Sequence, residues 1–361
     1  PPPPPPPPNT STRRQTRCQI HSRGLGDVYK RQVQVHEVEG TFPGPDSDTL
    51  ARLDRTLGSI PSGAHVVADG LALGAAPEVA RPHSERLRLV ALVHHPLADE
   101  TGLAADVRAE LNERERQVLA AVQGAVVTSA TTAQRLGAFG VASARVRVVE
   151  PGTDPARYSI GPGEGRPPRL LCVGTLTPRK GQDLLARALA AHRELAWHCV
   201  CVGSLERDRT FARSVQGTVR DLELDHRFQF TGDIDAAGLE DDWHAASIFV
   251  LPSWYEGYGM ALTEALVRGL PIVSTRGGAI PQTVPAAASR LVTPGDVAEL
   301  GATIAELLTQ PTLREEMAGA ARAAAARLPA WSDQARRFAT AVDELTARVD
   351  APPLSGSADQ R

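Results

Sequence analysis

From Val33 onward, short apolar runs alternate with longer stretches whose apolar residues fall three and four apart. The first runs are VQVHEV (33–38), HVVADG (65–70), LRLVALVHH (87–95), GAVVTSA (124–130) and RVRVVEPG (145–152). A second set comprises PRLLCVGTL (168–176), AWHCVCVGS (196–204), RFQFTGD (227–233), SIFVLPS (247–253), PIVST (271–275) and SRLVTPGD (289–296). Short Val- and Leu-rich runs of this kind predict strands buried on both faces. The stretches between them, such as 183–193, 259–268 and 297–308, carry the helical period. Strand–helix alternation in turn predicts an α/β fold with parallel sheets under helices. Five strands and then six imply two Rossmann-like domains, 33–150 and 151–330. The Gly- and Pro-rich segment 150–168 reads as the linker between them. A last helix is predicted over 331–348, with Ser332 as its cap and Phe338, Val342 and Leu345 as its apolar face, packing back toward the N-terminal domain. The polar tail, 349–361, is expected to be disordered.

Residues 1–32 break this pattern. Eight prolines precede NTSTRRQTRCQIHSRGLGDVYKRQ, which has neither periodicity nor the apolar stretch of a signal peptide. A homopolymer of C would encode the prolines, and DVYKRQ resembles translated sequencing-adapter sequence. Residues 1–32 are therefore read as a non-native leader, the alternative being a disordered Pro-rich, basic tail.

Composition narrows the picture further. With 361 residues, 42% of them hydrophobic, 22% charged and a net charge of -3, the chain reads as a soluble globular protein. No field favours nucleic acid, and no apolar run approaches a membrane span. Cys18, Cys172, Cys199 and Cys201 form no CxxC pair, and three of them sit in strand-like runs, so buried reduced thiols are expected.

In open α/β sheets, ligands bind beyond the carboxyl ends of the strands. There the sequence places Gly174-Thr175, the cations Arg179 and Lys180, the loop WYEGYGM with Glu256, Gly257, Tyr258, Gly259 and Met260, then Glu264, and the pair Gly277–Gly278. Paired cations and a helix start suit a phosphate or diphosphate. Glycines let the backbone approach a ligand, and cleft carboxylates accept hydrogen bonds from sugar hydroxyls. Each feature alone has a bland reading: a solvated Arg-Lys loop, a glutamate facing a helix dipole, a simple Gly-Gly turn. Their occurrence at the carboxyl ends of neighbouring strands in one domain favours function.

Taken together, VGTLTPRKG (173–181), FTGDI (230–234), PSWYEGYGMALTEALVRGLPIVSTRGGAIPQTV (252–284) and LVTPGD (291–296) resemble the family 4 retaining glycosyltransferases of the GT-B fold. The resemblance covers residues 33 to about 348 and is strongest in the C-terminal half. It implies transfer of a mannose- or glucose-type hexose from a UDP-, GDP- or ADP-linked sugar to a lipid, polysaccharide or small-molecule acceptor. It implies no bound metal and no cofactor. Lys180 would neutralise the departing diphosphate, and Glu256 would hold the transferring sugar with the Gly257–Gly259 amides. Glu264 would hold the ribose, and the backbone at Gly232–Ile234 the base; Gly174, Thr175, Arg179, Tyr258, Met260, Gly277 and Gly278 complete the donor set. His94 matches the family's strand-end histidine near the sugar, whereas Ser129 and Thr131 fit helix caps as well as ligand contacts. Thr175 stands where the family commonly has Arg, and Gln282 where it commonly has Glu. A cytoplasmic site is implied, with room for peripheral contact at the inner membrane face.

The family's first N-terminal strand, its glycine-rich loop and its first helix have no counterpart, and VQVHEV takes the place of the second strand. The first half is therefore expected to fold poorly, with weak or absent activity. Two other readings stay open, another GT-B nucleotide-sugar enzyme such as an epimerase and an inactive nucleotide-sugar binder.

Overall fold

The computed structural model describes residues 33–347; the leader 1–32, with Cys18, and the tail 349–361 lie outside them. The compact body begins at Val38. It contains two parallel sheets. The first holds β1 (His65–Asp69), β2 (Arg88–Val93), β3 (Gly124–Val127) and β4 (Val146–Val148) in the order β1-β2-β3-β4. The second holds β5 (Arg169–Val173), β6 (His198–Val202), β7 (Phe228–Gly232), β8 (Ile248–Leu251), β9 (Ile272–Thr275) and β10 (Ser289–Val292) in the order β10-β9-β8-β5-β6-β7.

All six expected C-terminal strands form, but only four of the five expected N-terminal ones do. Residues 33–38 carry no strand, and Val33 and Val35 are 65% and 73% exposed. Alternation marks a segment that would suit a sheet, but a strand is stable only with a neighbour to satisfy its backbone and cover its face. Among the described residues, β1 is consequently an edge strand.

Period-two geometry sorts the first sheet into layers. Leu89, Ala91 and Val93 of β2, with Ala125 and Val127 of β3, enter the core shared with Leu53, Leu57, Val79 and Val118. The intervening Val90, Leu92 and Val126 face the other way and meet Phe338, Ala341, Val342 and Leu345. Those four are spaced i, i+3, i+4 and i+7 on the helix Trp331–Thr346, which covers the N-terminal sheet although it follows the C-terminal domain. The ion pair of Arg147 with Glu344, at 2.6 Å, closes its rim. The helix starts one residue before the expected cap: Ala330 stands at that position without a side-chain hydrogen bond, and Ser332 lies inside the first turn.

Strand order dictates where a ligand belongs. In the second sheet the chain lays down β5, β6 and β7 in one direction, then returns to place β8, β9 and β10 on the other side. At such a reversal, beyond the strands' carboxyl ends, open α/β sheets place their ligands, and the loops after β5 and β8 lie there. The described part of the first sheet winds one way only. Cys172, Cys199 and Cys201 are free and buried in β5 and β6, as expected. Among the described residues, no helix is long and apolar enough to cross a membrane.

Candidate active site

At the reversal, the loop after β5 meets the loop after β8. Gly181 adopts φ +69° and caps the helix Gln182–Ala190, turning the chain so that Arg179 and Lys180 project beside β8. A Cβ at Gly181 would stand 2.3 Å from the Pro252 carbonyl oxygen, so only glycine fits this approach. The Lys180 stem crosses Gly174, and its Nζ donates to Glu256 Oε1 at 2.6 Å. Ser253 Oγ donates to the same oxygen at 2.6 Å. Arg179 Nη1 donates to the Tyr255 carbonyl at 2.8 Å and to Glu256 Oε2 at 3.3 Å.

Glu256 is only 5% exposed. Burial pushes its carboxyl up, but the charges of Lys180 and Arg179 and the hydrogen bonds from Lys180 and Ser253 outweigh this and hold it below the ordinary range. Glu264 behaves oppositely. It lies half-buried in the helix Met260–Val267, and burial, reinforced by Glu240 against Arg268, raises its carboxyl. Arg268 binds Glu240 at 2.6 Å instead, leaving the Glu264 carboxylate oxygens without a hydrogen-bond partner among the described residues.

The glycine pair after β9 is a seat for the loop that carries Glu256 rather than a flexible turn. A Cβ at Gly277 would stand 2.2 Å from the Trp254 carbonyl oxygen, and one at Gly278 2.3 Å from that of Glu256. The Ala279 N–H donates to the same Glu256 carbonyl at 2.8 Å. Gly259, at φ +91°, starts the helix Met260–Val267; Met260 is 41% exposed at its mouth, whereas Tyr258 is 7% exposed and belongs to the interior. Gly232 ends β7, two strands from β5, and Ile234 follows it; Thr175 accepts from Gln182 through its backbone.

The N-terminal domain contributes the loop after β2. Its closest approach is backbone to backbone: a Cβ at Gly257 would fall 2.0 Å from the His94 carbonyl oxygen and 3.2 Å from His95 Cβ. The His94 side chain is half exposed and meets Asp69 at 3.2 Å. His95 is the histidine whose ring faces Tyr255, with centroids 6.0 Å apart, and its Nε2 lies 3.7 Å from Glu100. Glu100 in turn binds Arg179 Nε at 3.2 Å. Burial raises the Glu100 carboxyl, but its contact with His95 and the charge of Arg179 bring it down to about 2. Ser129 is the cap of the helix Ala130–Gly137, accepting the Thr132 N–H at 3.1 Å. Thr131 instead lines a cavity of about 510 Å³ with Arg108, Gln134, Arg135 and Tyr255.

Sequence reasoning passed over Glu100, Ser253 and one compositional signal. Lys180 is the sole lysine from residue 33 onward, every other basic side chain there being arginine. Where arginine serves every other cationic position, one ammonium marks a place for a compact point charge. Among the described residues, no three His, Cys, Asp or Glu side chains are grouped as a metal site.

The same N-terminal loop is anchored from below. Glu115, 1% exposed in the helix Ala105–Ala121, accepts the Leu97 N–H at 2.9 Å. Burial pushes its carboxyl up to about 8, the Leu97 hydrogen bond opposing and Asp99 adding to the rise. The folded protein thus keeps this proton to about pH 8, whereas the unfolded chain releases it near the ordinary value of 4.5. Between those values the folded state binds more protons, so this group's contribution to stability falls as pH rises and levels off above the folded value. Glu115→Gln, which keeps an acceptor for Leu97, removes this dependence. The melting temperature of the variant relative to wild type is expected to rise from pH 5 to pH 8, and a constant difference would refute the assignment.

Residues 167–310 match the family described as glycosyl transferases group 1. The chain is 28% identical over 343 residues to an MMP alpha-(1->4)-mannosyltransferase of Mycolicibacterium hassiacum, covering 89% of this chain and 81% of that protein. It is 29% identical to a GDP-mannose-dependent alpha-(1-6)-phosphatidylinositol monomannoside mannosyltransferase of Mycolicibacterium smegmatis, covering 59% of this chain and 60% of that one. Its fold is similar to that of Anabaena HepE, solved with UDP and glucose, with a TM-score of 0.69 at 20% identity over 82% of this chain and 81% of that one. The two sheets and their helices form a GT-B fold of two Rossmann-like domains.

Proposed function

With a glycosyl transferases group 1 segment in its C-terminal domain, the chain is, we propose, a retaining glycosyltransferase that takes a mannose- or glucose-type hexose from a nucleoside diphosphate sugar. The carrying observation is the division of labour at the β5/β8 reversal. Lys180 and Arg179 supply positive charge, while Glu264 offers a half-buried carboxylate with unpaired oxygens. This matches a ligand that is anionic at its centre and rich in hydroxyls at both ends. The GDP-mannose dependence in the name of the Mycolicibacterium smegmatis mannosyltransferase and the UDP and glucose in HepE support the same class of donor.

In this reading the diphosphate takes over Lys180 and the free side of Arg179, releasing Glu256 to accept from the hexose hydroxyls. Glu264 receives the ribose hydroxyls, and the backbone at Gly232–Ile234 packs on the base. The bond from the anomeric carbon to the phosphate oxygen breaks, and the acceptor oxygen bonds to that carbon from the same face. The acceptor proton passes to the departing phosphate, giving a nucleoside diphosphate. Lys180 stabilises the charge that grows on this leaving group; neither a metal nor a cofactor is assigned a part. The cavity beside Tyr255, mainly apolar with polar groups from Arg108, Thr131, Gln134 and Arg135 along its wall, suits the outer part of an acceptor.

The solitary lysine provides the test. The protein is treated with an amine-reactive acylating reagent in the presence of GDP-mannose, UDP-glucose, ADP-glucose or none, and modification at Lys180 is read by mass spectrometry. One donor is expected to protect Lys180 and to raise the melting temperature. Equal labelling of Lys180 under all four conditions would remove the donor site from the β5/β8 crevice. Release of nucleoside diphosphate separates a transferase from a binder, and a donor epimer among the products would indicate an epimerase.

A further inference from the structure

We infer that Glu100 is a positioning residue that links closure of the two domains to the aim of Arg179; the inference rests on reading the β5/β8 crevice as the donor site. His95, Glu100, Arg179, Glu256 and Lys180 form a chain of side chains that crosses from one domain to the other. Its second link, Glu100 to Arg179 Nε at 3.2 Å, is the one that spans the boundary. Arg179 is 15% exposed and Glu100 39%, so the pair is buried on the Arg179 side and open to solvent on the Glu100 side.

A guanidinium is planar and presents its donors in a fixed fork. In Arg179, Nε is taken by Glu100, and Nη1 by the Tyr255 carbonyl and Glu256. Two fixed nitrogens fix the plane, and Nη2, which has no partner among the described residues, is left with one direction in which to donate. Only one of the anchors comes from the N-terminal domain. Glu100 shares its loop with His94, whose carbonyl rests against Gly257, so the carboxylate reaches Arg179 only when the domains meet. With the domains apart, Arg179 has Glu256 as its sole carboxylate partner, and its charge is spent within the donor domain. Closure brings a second anion to the opposite side of the guanidinium and turns it outward. The leaving-group cation is thereby set only once the acceptor side is in place.

Glu100 is also an anion beside a site for an anion, so its removal has opposite effects on binding and turnover. Glu100→Gln is expected to bind the protecting nucleotide sugar at least as tightly as wild type, while release of nucleoside diphosphate slows about 10- to 100-fold, as for a misplaced catalytic group. Glu100→Asp keeps the charge and should fall between the two. In an Arg179→Gln background, Glu100→Gln should add less than a two-fold further loss, because the two residues act as one unit. The measurements are donor affinity by calorimetry, nucleoside diphosphate release under saturating donor, and melting temperature, using GDP-mannose, UDP-glucose and ADP-glucose. Turnover of Glu100→Gln within two-fold of wild type would overturn the inference. So would donor affinity, turnover and melting temperature falling together, or full additivity with Arg179→Gln. If none of GDP-mannose, UDP-glucose and ADP-glucose binds the wild-type protein, it is the donor-site reading that fails, before Glu100 enters.

Discussion

Lys180→Met is expected to lower turnover about 100- to 1,000-fold, the range for loss of one preorganised group that stabilises charge in a transition state. Lys180 neutralises a carboxylate that is 5% exposed, so both partners are already desolvated in the folded protein. A diphosphate entering this place meets an ammonium with little solvent reorganisation left to undergo. Lys180→Arg keeps the charge but spreads it over a larger planar group in a space that Gly174 and Glu256 fit to a narrow stem. It should recover part of the loss and stay at least about ten-fold below wild type. Folding is affected less than turnover. Deleting one partner of a buried pair costs about 3–5 kcal/mol when the other is left alone. Here Arg179 and Ser253 remain on Glu256, and the cost is expected below that range. Turnover and melting temperature measured on one preparation separate the two effects. A Lys180→Met protein with turnover within ten-fold of wild type would show that the leaving group is stabilised elsewhere.

The C-terminal domain was legible because its strands are short, apolar and buried on both faces, so each run of Val, Leu and Ile marks a strand directly. The donor-side glycines and charges follow those strands at once, and their location needed only the rule about carboxyl ends. What the sequence could not reveal depends on distant partners. Residues 33–38 have the alternation of a strand but no neighbouring strand among the described residues, and they form none. His94 and His95 were inseparable by pattern, since strand-end residues face opposite ways; the structure sets the ring of His95 toward Tyr255 and that of His94 toward Asp69. Glu100 sits in a loop without period, and its partner lies 79 residues away. Gly277 and Gly278 look like a flexible turn in sequence, but their lack of side chains accommodates the loop that carries Glu256.

Gly257→Ala is the second change expected to have a large effect, and its cause lies between the domains rather than at the ligand. The added methyl would lie 2.0 Å from the His94 carbonyl oxygen and 3.2 Å from His95 Cβ. Neither obstacle is the free end of a flexible side chain, so the strain cannot be relieved by a rotamer change. Two responses are open: the N-terminal loop lifts away from the crevice, or the loop Trp254–Tyr258 retreats and carries Glu256 with it. Either one displaces a group on one side of the reaction by the order of 1 Å, enough to cost about 100-fold in turnover. In the proposed reading Lys180, Arg179, Glu256 and Glu264 hold the donor from the C-terminal domain, so lifting of the N-terminal loop is expected to leave donor affinity within a few-fold. Retreat of the Glu256 loop lowers affinity as well. Calorimetry with the protecting nucleotide sugar therefore tells the two responses apart, and small-angle scattering should show an increased radius of gyration for the first. The region around Gly257 is tight enough that Gly257→Ser should be no better than alanine. An alanine variant with turnover within three-fold of wild type would mean that the domains do not meet at this point during catalysis, and the contact between His94 and Gly257 would then lose its place in the closed state.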